Sequence, residues 1–250
     1  MDFLKFAQTI FSKPQVSVGP VSDKPPVVKL AKEKHTATMI FLHGLGDNGD
    51  GWADVLSNEM HLPYFKYIVP HAASRPVALN LGYSSPAWFD ILGLSDDTNE
   101  DDAGIEAAAL YVHNLIDEEV ATGTPSNRIV LGGFSMGGAL AIYAGLTCKQ
   151  GLGCIISFSG FMLQKHKIPG EHTANLQTPI FLGHGTKDPM VPATYGIEVE
   201  QVVKVFNPNV EFKQYDMGHT CSLEEKVEAS SFISKNVPAN FASEKEENPE

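Results

Sequence analysis

The period of apolar and polar positions changes repeatedly along the chain, and each change marks an element. Thr38–Leu42, Tyr67–Val69, Ile129–Leu131, Cys154–Phe158 and Ile180–Leu182 are short, nearly continuous apolar runs. Runs of this length, bounded by turn residues, predict strands buried on both faces. Val210–Tyr215 alternates instead, which predicts a half-buried strand nearer a sheet edge. Between these runs the period lengthens. Ile105, Ala109, Val112 and Ile116 recur at i, i+4, i+7 and i+11. Glu100, Asp101 and Asp102 place negative charge at that helix's start, where the dipole favours it. Gly138–Ala144 is a helical run of small residues, and Val199, Val202, Val203 and Phe206 mark another helix. Ser222 and Glu225 form a capping box that opens a last helix, closed off by Pro238. Strand alternating with helix predicts the α/β class, with a mostly parallel central sheet, helices on both faces and no large cap domain.

The two ends break this pattern. Phe3, Leu4, Phe6, Ala7, Ile10 and Phe11 have helical spacing, but Pro14, Gly19, Pro20, Pro25 and Pro26 prevent any regular element beyond them. Residues 1–26 are therefore expected to form a flexible extension, with at most a weak membrane or partner contact. Residues 27–240 are expected to form the single α/β domain. Residues 241–250 read as an acidic, solvated tail.

Composition narrows the function classes. The 250 residues are 43% hydrophobic, enough for a sizeable core, and the formal net charge is −12. With no basic cluster, nucleic-acid binding is not expected. The same acidity disfavours anionic membrane surfaces, leaving at most transient peripheral contact. Cys148, Cys154 and Cys221 have neither metal-ligand spacing nor a disulfide pattern, which suits a reducing compartment. No apolar run approaches the roughly 18 residues of a membrane span, and the first residues are not expected to act as a secretory signal. A cytoplasmic protein is expected.

The chemistry centres on Gly133-Phe134-Ser135-Met136-Gly137, a G-x-S-x-G between a strand and a helix. That context is the nucleophile elbow. The turn is sharp, so Gly133 and Gly137 are expected to avoid collision with crossing backbone. A glycine-rich strand-to-helix turn also suits a phosphate, so the pentapeptide alone leaves two readings open. A serine hydroxyl needs a base, and the base needs an orienting acid. In this fold the chain order is serine, acid, histidine. Asp188 follows the Ile180–Leu182 strand in a Gly-Pro loop. His219 is the only histidine beyond it, whereas His184 precedes the acid and reads as a strand-end residue. Ser135, Asp188 and His219 therefore satisfy the order.

Leu42-His43-Gly44-Leu45-Gly46-Asp47 comes after the first strand, and its glycines free backbone N–H groups for an oxyanion. The expected donors are the N–H groups of Leu45 and Met136. Gly44, Gly46 and Gly49 also match a dinucleotide-binding spacing, but Tyr64–Tyr67 lacks the ribose-binding acid that this spacing requires.

With these pieces assembled, the chain resembles the acyl-protein thioesterase/lysophospholipase family of the α/β-hydrolase superfamily. The matching segments include Leu42–Asp47, Trp88–Ile91, Glu100-Asp101, Ser126–Ile129, Gly132–Ser135, Gly137–Leu140 and Asp188–Pro192, within residues 36 to 237. The resemblance implies Ser135 as nucleophile, Asp188 as acid, His219 as base, and an oxyanion hole at the Leu45 and Met136 N–H groups. It implies a serine hydrolase that removes long-chain acyl groups from S-acylated proteins, without metal or cofactor. A lysophospholipase or general carboxylesterase would carry the same triad, and a non-catalytic acyl-lipid carrier is a further alternative. Family members often carry glutamine after the serine, so Met136 is expected to make the entrance more apolar. The segment Trp88–Leu94 is expected to flank an acyl channel, with Trp88, Phe89, Leu92 and Leu94 as substrate-binding residues.

Overall fold

The computed structural model describes residues 19–93 and 98–239. The expectations for Leu94, for residues 1–18 and for the tail 241–250 lie outside the described residues. The strands are β1 (Val27–Lys29), β2 (Ala37–Leu42), β3 (Phe65–Val69), β4 (Ser74–Pro76), β5 (Ser84–Pro86), β6 (Ile129–Phe134), β7 (Cys154–Phe158), β8 (Ile180–Gly185) and β9 (Val210–Tyr215). The helices are α1 (Gly49–Asn58), α2 (Asp102–Ala121), α3 (Met136–Thr147), α4 (Ala193–Lys204) and α5 (Leu223–Asn236). Seven strands form one sheet in the order β1-β3-β2-β6-β7-β8-β9, parallel except for β1. β4 and β5 pair separately.

Side-chain alternation sorts the strand residues onto two cores. Ile40, Leu42, Leu131, Ile155 and Leu182 pack on one face with α2, α3 and α4. Met39, Phe41, Val130, Ile156 and Phe181 pack on the other with α1 and α5. Because both faces are covered, the inner strands carry no polar stripe. Every residue of α3 is buried, which accounts for its small side chains. β9 is an edge strand, as its half-polar sequence predicts, and exposes Glu211 and Gln214. The hydrophobic repeat of α4 holds at Val199 and Val203, but the helix ends at Lys204, before Phe206.

Three features depart from the sequence reading. α1 lies where the glycine-rich run suggested only a turn; the Asn48 side chain caps it and Trp52, Ala53 and Leu56 bury its inner face. β1 adds a short antiparallel strand at the other edge. Residues 19–26, expected to belong to a flexible extension, are docked on the domain. The Ser22 N–H donates to the His71 carbonyl at 3.0 Å and the Ala73 N–H to the Pro20 carbonyl at 3.2 Å. Prolines suit such an edge, where a missing N–H breaks no ladder.

The strand order reverses between the parallel neighbours β2 and β6. Connections leave these neighbours to opposite sides, so a crevice opens beyond their carboxyl ends. Leu42 is in register with Gly133 there. Leu45 and Ser135 are thereby delivered to the same rim.

Candidate active site

Ser135 joins β6 to α3 with φ 54° and ψ −119°, a conformation unusual for a residue with a side chain. A Cβ on Gly133 would strike the Gly137 carbonyl, and one on Gly137 would strike the Leu42 carbonyl. The two glycines are thus required by close backbone approach, as the sequence predicts. The Ser135 N–H donates to the Phe158 carbonyl at 2.8 Å, and the Ala139 N–H donates to the Ser135 carbonyl at 2.9 Å. These bonds hold the hydroxyl clear of the strand.

The loops after β8 and β9 bring in the other two groups. The Thr186 N–H donates to the Tyr215 carbonyl at 2.8 Å and the Lys187 N–H to the Met217 carbonyl at 3.0 Å. This lashes the Asp188 loop to the His219 loop. His219 Nδ1 lies 2.6 Å from Asp188 Oδ2, and its Nε2 lies 2.9 Å from Ser135 Oγ. An ionised carboxylate accepts only, so Nδ1 carries the proton and Nε2 accepts from the serine hydroxyl. The Asp188 side chain is fully buried. Its Oδ1 accepts from the N–H groups of Met190 at 2.9 Å and Val191 at 2.8 Å. The Phe134 ring tilts against the His219 imidazole at 4.9 Å.

Leu45 lies in the turn after β2, and Met136 opens α3. Among the described residues neither backbone N–H donates to a protein acceptor. A helix start leaves such amides free for an anion. His43, at the base of this turn, is fully buried. Its Nε2 accepts the Ala72 N–H at 3.0 Å, so its Nδ1 carries the proton and donates to the Gly44 carbonyl at 2.8 Å. Burial pushes this imidazole's pKa down, which keeps it neutral. His43 therefore sets the course of the Leu45 turn. The rival dinucleotide spacing is used otherwise: Gly44 packs against Phe134 and Ser135, while Gly49 opens α1.

A cleft of about 90 Å³ opens at the start of α2, and none of Ser135, Asp188 and His219 lines it. Phe89, Ile91, Leu92, Ile105, Phe161 and Leu163 supply its apolar lining. Phe89 and Leu92, expected to bind substrate, line this cleft. Trp88 does not: it is fully buried, and its indole N–H donates to the His43 carbonyl at 2.9 Å. A buried indole needs that acceptor, so the ring turns into the core against His43 and Tyr111. The reading of Met136 is corrected likewise. Its side chain is fully buried, and its sulfur accepts the Trp88 N–H at 3.4 Å, so it does not line an entrance.

Asp101 is a feature whose role the sequence did not convey. Its carboxylate accepts from the Gly104 N–H at 3.0 Å and the Asp90 N–H at 2.9 Å. It caps α2 and pins the cleft wall together. The acidic helix start was visible in the sequence, but the partner at Asp90 was not. Among the described residues no group of three His, Cys, Asp or Glu side chains is placed to hold a metal.

Known proteins resemble this chain along most of its length. The family model described as Phospholipase/Carboxylesterase matches residues 24–237. An acyl-protein thioesterase 1 of Neurospora crassa is 39% identical over 227 residues, covering 86% of this chain and 93% of that protein. One from Gibberella zeae is 41% identical, covering 85% of this chain and 96% of that protein. Among solved structures, Zea mays acyl-protein thioesterase 2 superposes with a TM-score of 0.77 at 32% identity, covering 85% of this chain and 98% of the other. A structure of esterase PE8, at 23% identity and a TM-score of 0.67, shares the fold. The chain, with its α/β-hydrolase fold, belongs to the phospholipase/carboxylesterase family.

Proposed function

We propose that the protein is a serine hydrolase that cleaves long-chain acyl thioesters from S-acylated proteins. The observation that carries this reading is the continuous hydrogen-bonded relay from Ser135 through His219 to Asp188. The thioesterase relatives support the choice of substrate.

In this mechanism Ser135 Oγ attacks the acyl carbon while its proton passes to His219 Nε2. Asp188 stabilises the resulting imidazolium through Nδ1–H. The carbonyl electron pair moves onto oxygen, where the Leu45 and Met136 N–H groups receive it. Collapse breaks the carbon–sulfur bond, and sulfur takes the proton from His219 and leaves as the thiol. The acyl group now rests on Ser135. A water molecule gives a proton to His219 and attacks the ester. The fatty acid departs, and the proton returns to Ser135. The acyl chain is assigned to the cleft beside Phe89–Gly93, where each buried methylene contributes about 0.8 kcal/mol.

The family description also names phospholipases, which favours lysophospholipid esters as a second reading. We place the protein in the cytoplasm, a reading supported by the free thiols of Cys148, Cys154 and Cys221. Among the described residues no helix is long and apolar enough to cross a membrane.

The test is kcat/KM measured side by side on an S-palmitoylated peptide and lysophosphatidylcholine, for wild type and Ser135→Ala. The thioester is expected to be the better substrate. Loss of the nucleophile is expected to cost on the order of 10⁶ in turnover. A faster lysophospholipid reaction would select the second reading. A folded Ser135→Ala protein retaining a tenth of the activity would remove Ser135 from its role.

A further inference from the structure

The Asp188 carboxylate stands between two histidines, and the triad chemistry uses only one. His219 Nδ1 lies 2.6 Å from Asp188 Oδ2, and His184 Nε2 lies 3.8 Å from the same oxygen. His184 is on β8, with its side chain 1% exposed. Its Nε2 lies 2.8 Å from the Val191 carbonyl, an acceptor, so Nε2 bears the proton and donates. The Val191 N–H in turn donates to Asp188 Oδ1 at 2.8 Å. His184 therefore grips, by its carbonyl, the residue whose amide orients the acid. The Nδ1 edge of the ring packs against α4, where a Cβ on Gly196 would lie 2.6 Å from His184 Nδ1.

The ring is also held neutral. Burial lowers its pKa most, and the His219 charge adds to that, against the opposing pull of the Val191 carbonyl and Asp188. Around it, β9 presents Gln214 in register and α4 presents Gly196, while α5 sets the Glu225 carboxyl against the adjacent Gly183. The carboxylate is left with a single cationic partner during the reaction.

We propose that His184 is a positioning residue for the Asp188–His219 pair. Through the Val191 carbonyl it fixes the Asp188 rotamer, so that the carboxylate stays aimed at His219 Nδ1. This inference rests on the triad reading of Ser135, His219 and Asp188.

Two amide variants of different reach test it. Gln in place of His184 carries its N–H about where Nε2 stands, whereas Asn falls short of Val191. The substrate is a short-chain p-nitrophenyl ester, with folding followed by circular dichroism and thermal unfolding. His184→Asn is expected to lower kcat roughly 10- to 100-fold, the range for a misplaced catalytic group, with KM little changed. The acid limb of its pH–rate profile should be displaced, because the Asp188 carboxylate is no longer held against His219 Nδ1. His184→Gln should recover most of kcat and the wild-type limb. A folded His184→Asn protein with wild-type kcat and pH profile overturns the proposal. So does a His184→Gln protein as impaired as His184→Asn. Should His184→Asn fail to fold, the pH profile of His184→Gln decides: a displaced acid limb overturns the proposal and a coincident one supports it. Fluorophosphonate labelling of wild type separates the two levels. Absence of both labelling and hydrolysis in wild type removes the triad reading, whereas an active wild type matched by His184→Asn removes only the role of His184.

Discussion

Ser135 is the residue at which local preference yields most visibly to the surrounding structure. Its positive φ of 54° costs roughly 1–3 kcal/mol and persists because neighbours over-determine it. Gly133 and Gly137 let strand and helix close around the serine, and the Phe158 carbonyl fixes its amide. Leu92 presents the opposite case, a leucine 45% exposed on the cleft wall. Leu92→Arg should lower kcat/KM for a long acyl ester more than for a short one. An arginine at this half-open position can carry its charge toward water, so the selectivity change belongs near the low end of the roughly 1–3 kcal/mol range for a pocket contact. The measurement is the ratio of the two kcat/KM values, in variant and wild type. An unchanged ratio in a folded variant would place the acyl chain elsewhere.

At the scale of elements, caps decide more than helix ends. Asp101 caps α2 and also holds the Asp90 amide, so one carboxylate joins a helix start to the cleft wall. Ser222 caps α5 by accepting the Glu225 N–H at 3.1 Å, with no part in the cleft. Removing a cap typically costs about 1 kcal/mol. Asp101→Ala should cost about 2 kcal/mol, since it orphans two amides, and should blunt the preference between long and short chains. Ser222→Ala should cost about 1 kcal/mol and leave that preference alone. Denaturant unfolding with paired ester kinetics checks both. Equal effects of the two variants on selectivity would detach Asp101 from the cleft.

Across the whole molecule, the two cores set a constraint on charge. Glu225 is fully buried, and its carboxyl oxygens have no nitrogen or oxygen hydrogen-bond partner. Burial raises its pKa from 4.5 to about 7, against the opposing pull of the Cys221 thiol, the nearby Ser222 amide and Lys226. The folded state therefore keeps a proton that the unfolded chain releases at lower pH. The stabilisation is fully present below the unfolded value and is lost as pH rises through about 7. Glu225→Gln removes this titration. The difference in unfolding free energy between pH 4 and pH 8 should shrink by about 3 kcal/mol in the variant. Chemical denaturation at both pH values measures it, and an identical pH dependence in wild type and variant would show that Glu225 does not hold the proton.

How much of this was legible in the chain depends on the range of each interaction. Continuous apolar runs marked the inner strands, because burial on both faces removes polar positions. The strained turn marked itself through glycines on either side of Ser135. The order of Ser135, Asp188 and His219 came from where strands end. These signals are local, set by backbone geometry within a few residues. Other outcomes depended on partners far along the chain. Trp88 turned into the core because the His43 carbonyl waits there, and Met136 was buried beneath it. Residues 19–26 docked because the backbone at His71 and Ala73 offered an edge. His184, a strand-end residue by sequence, grips Val191 because α4 closes behind it. Periodicity says whether a side chain is buried, but only the packed structure supplies the atom it meets, since a hydrogen bond is decided within a few tenths of an ångström by elements distant in sequence.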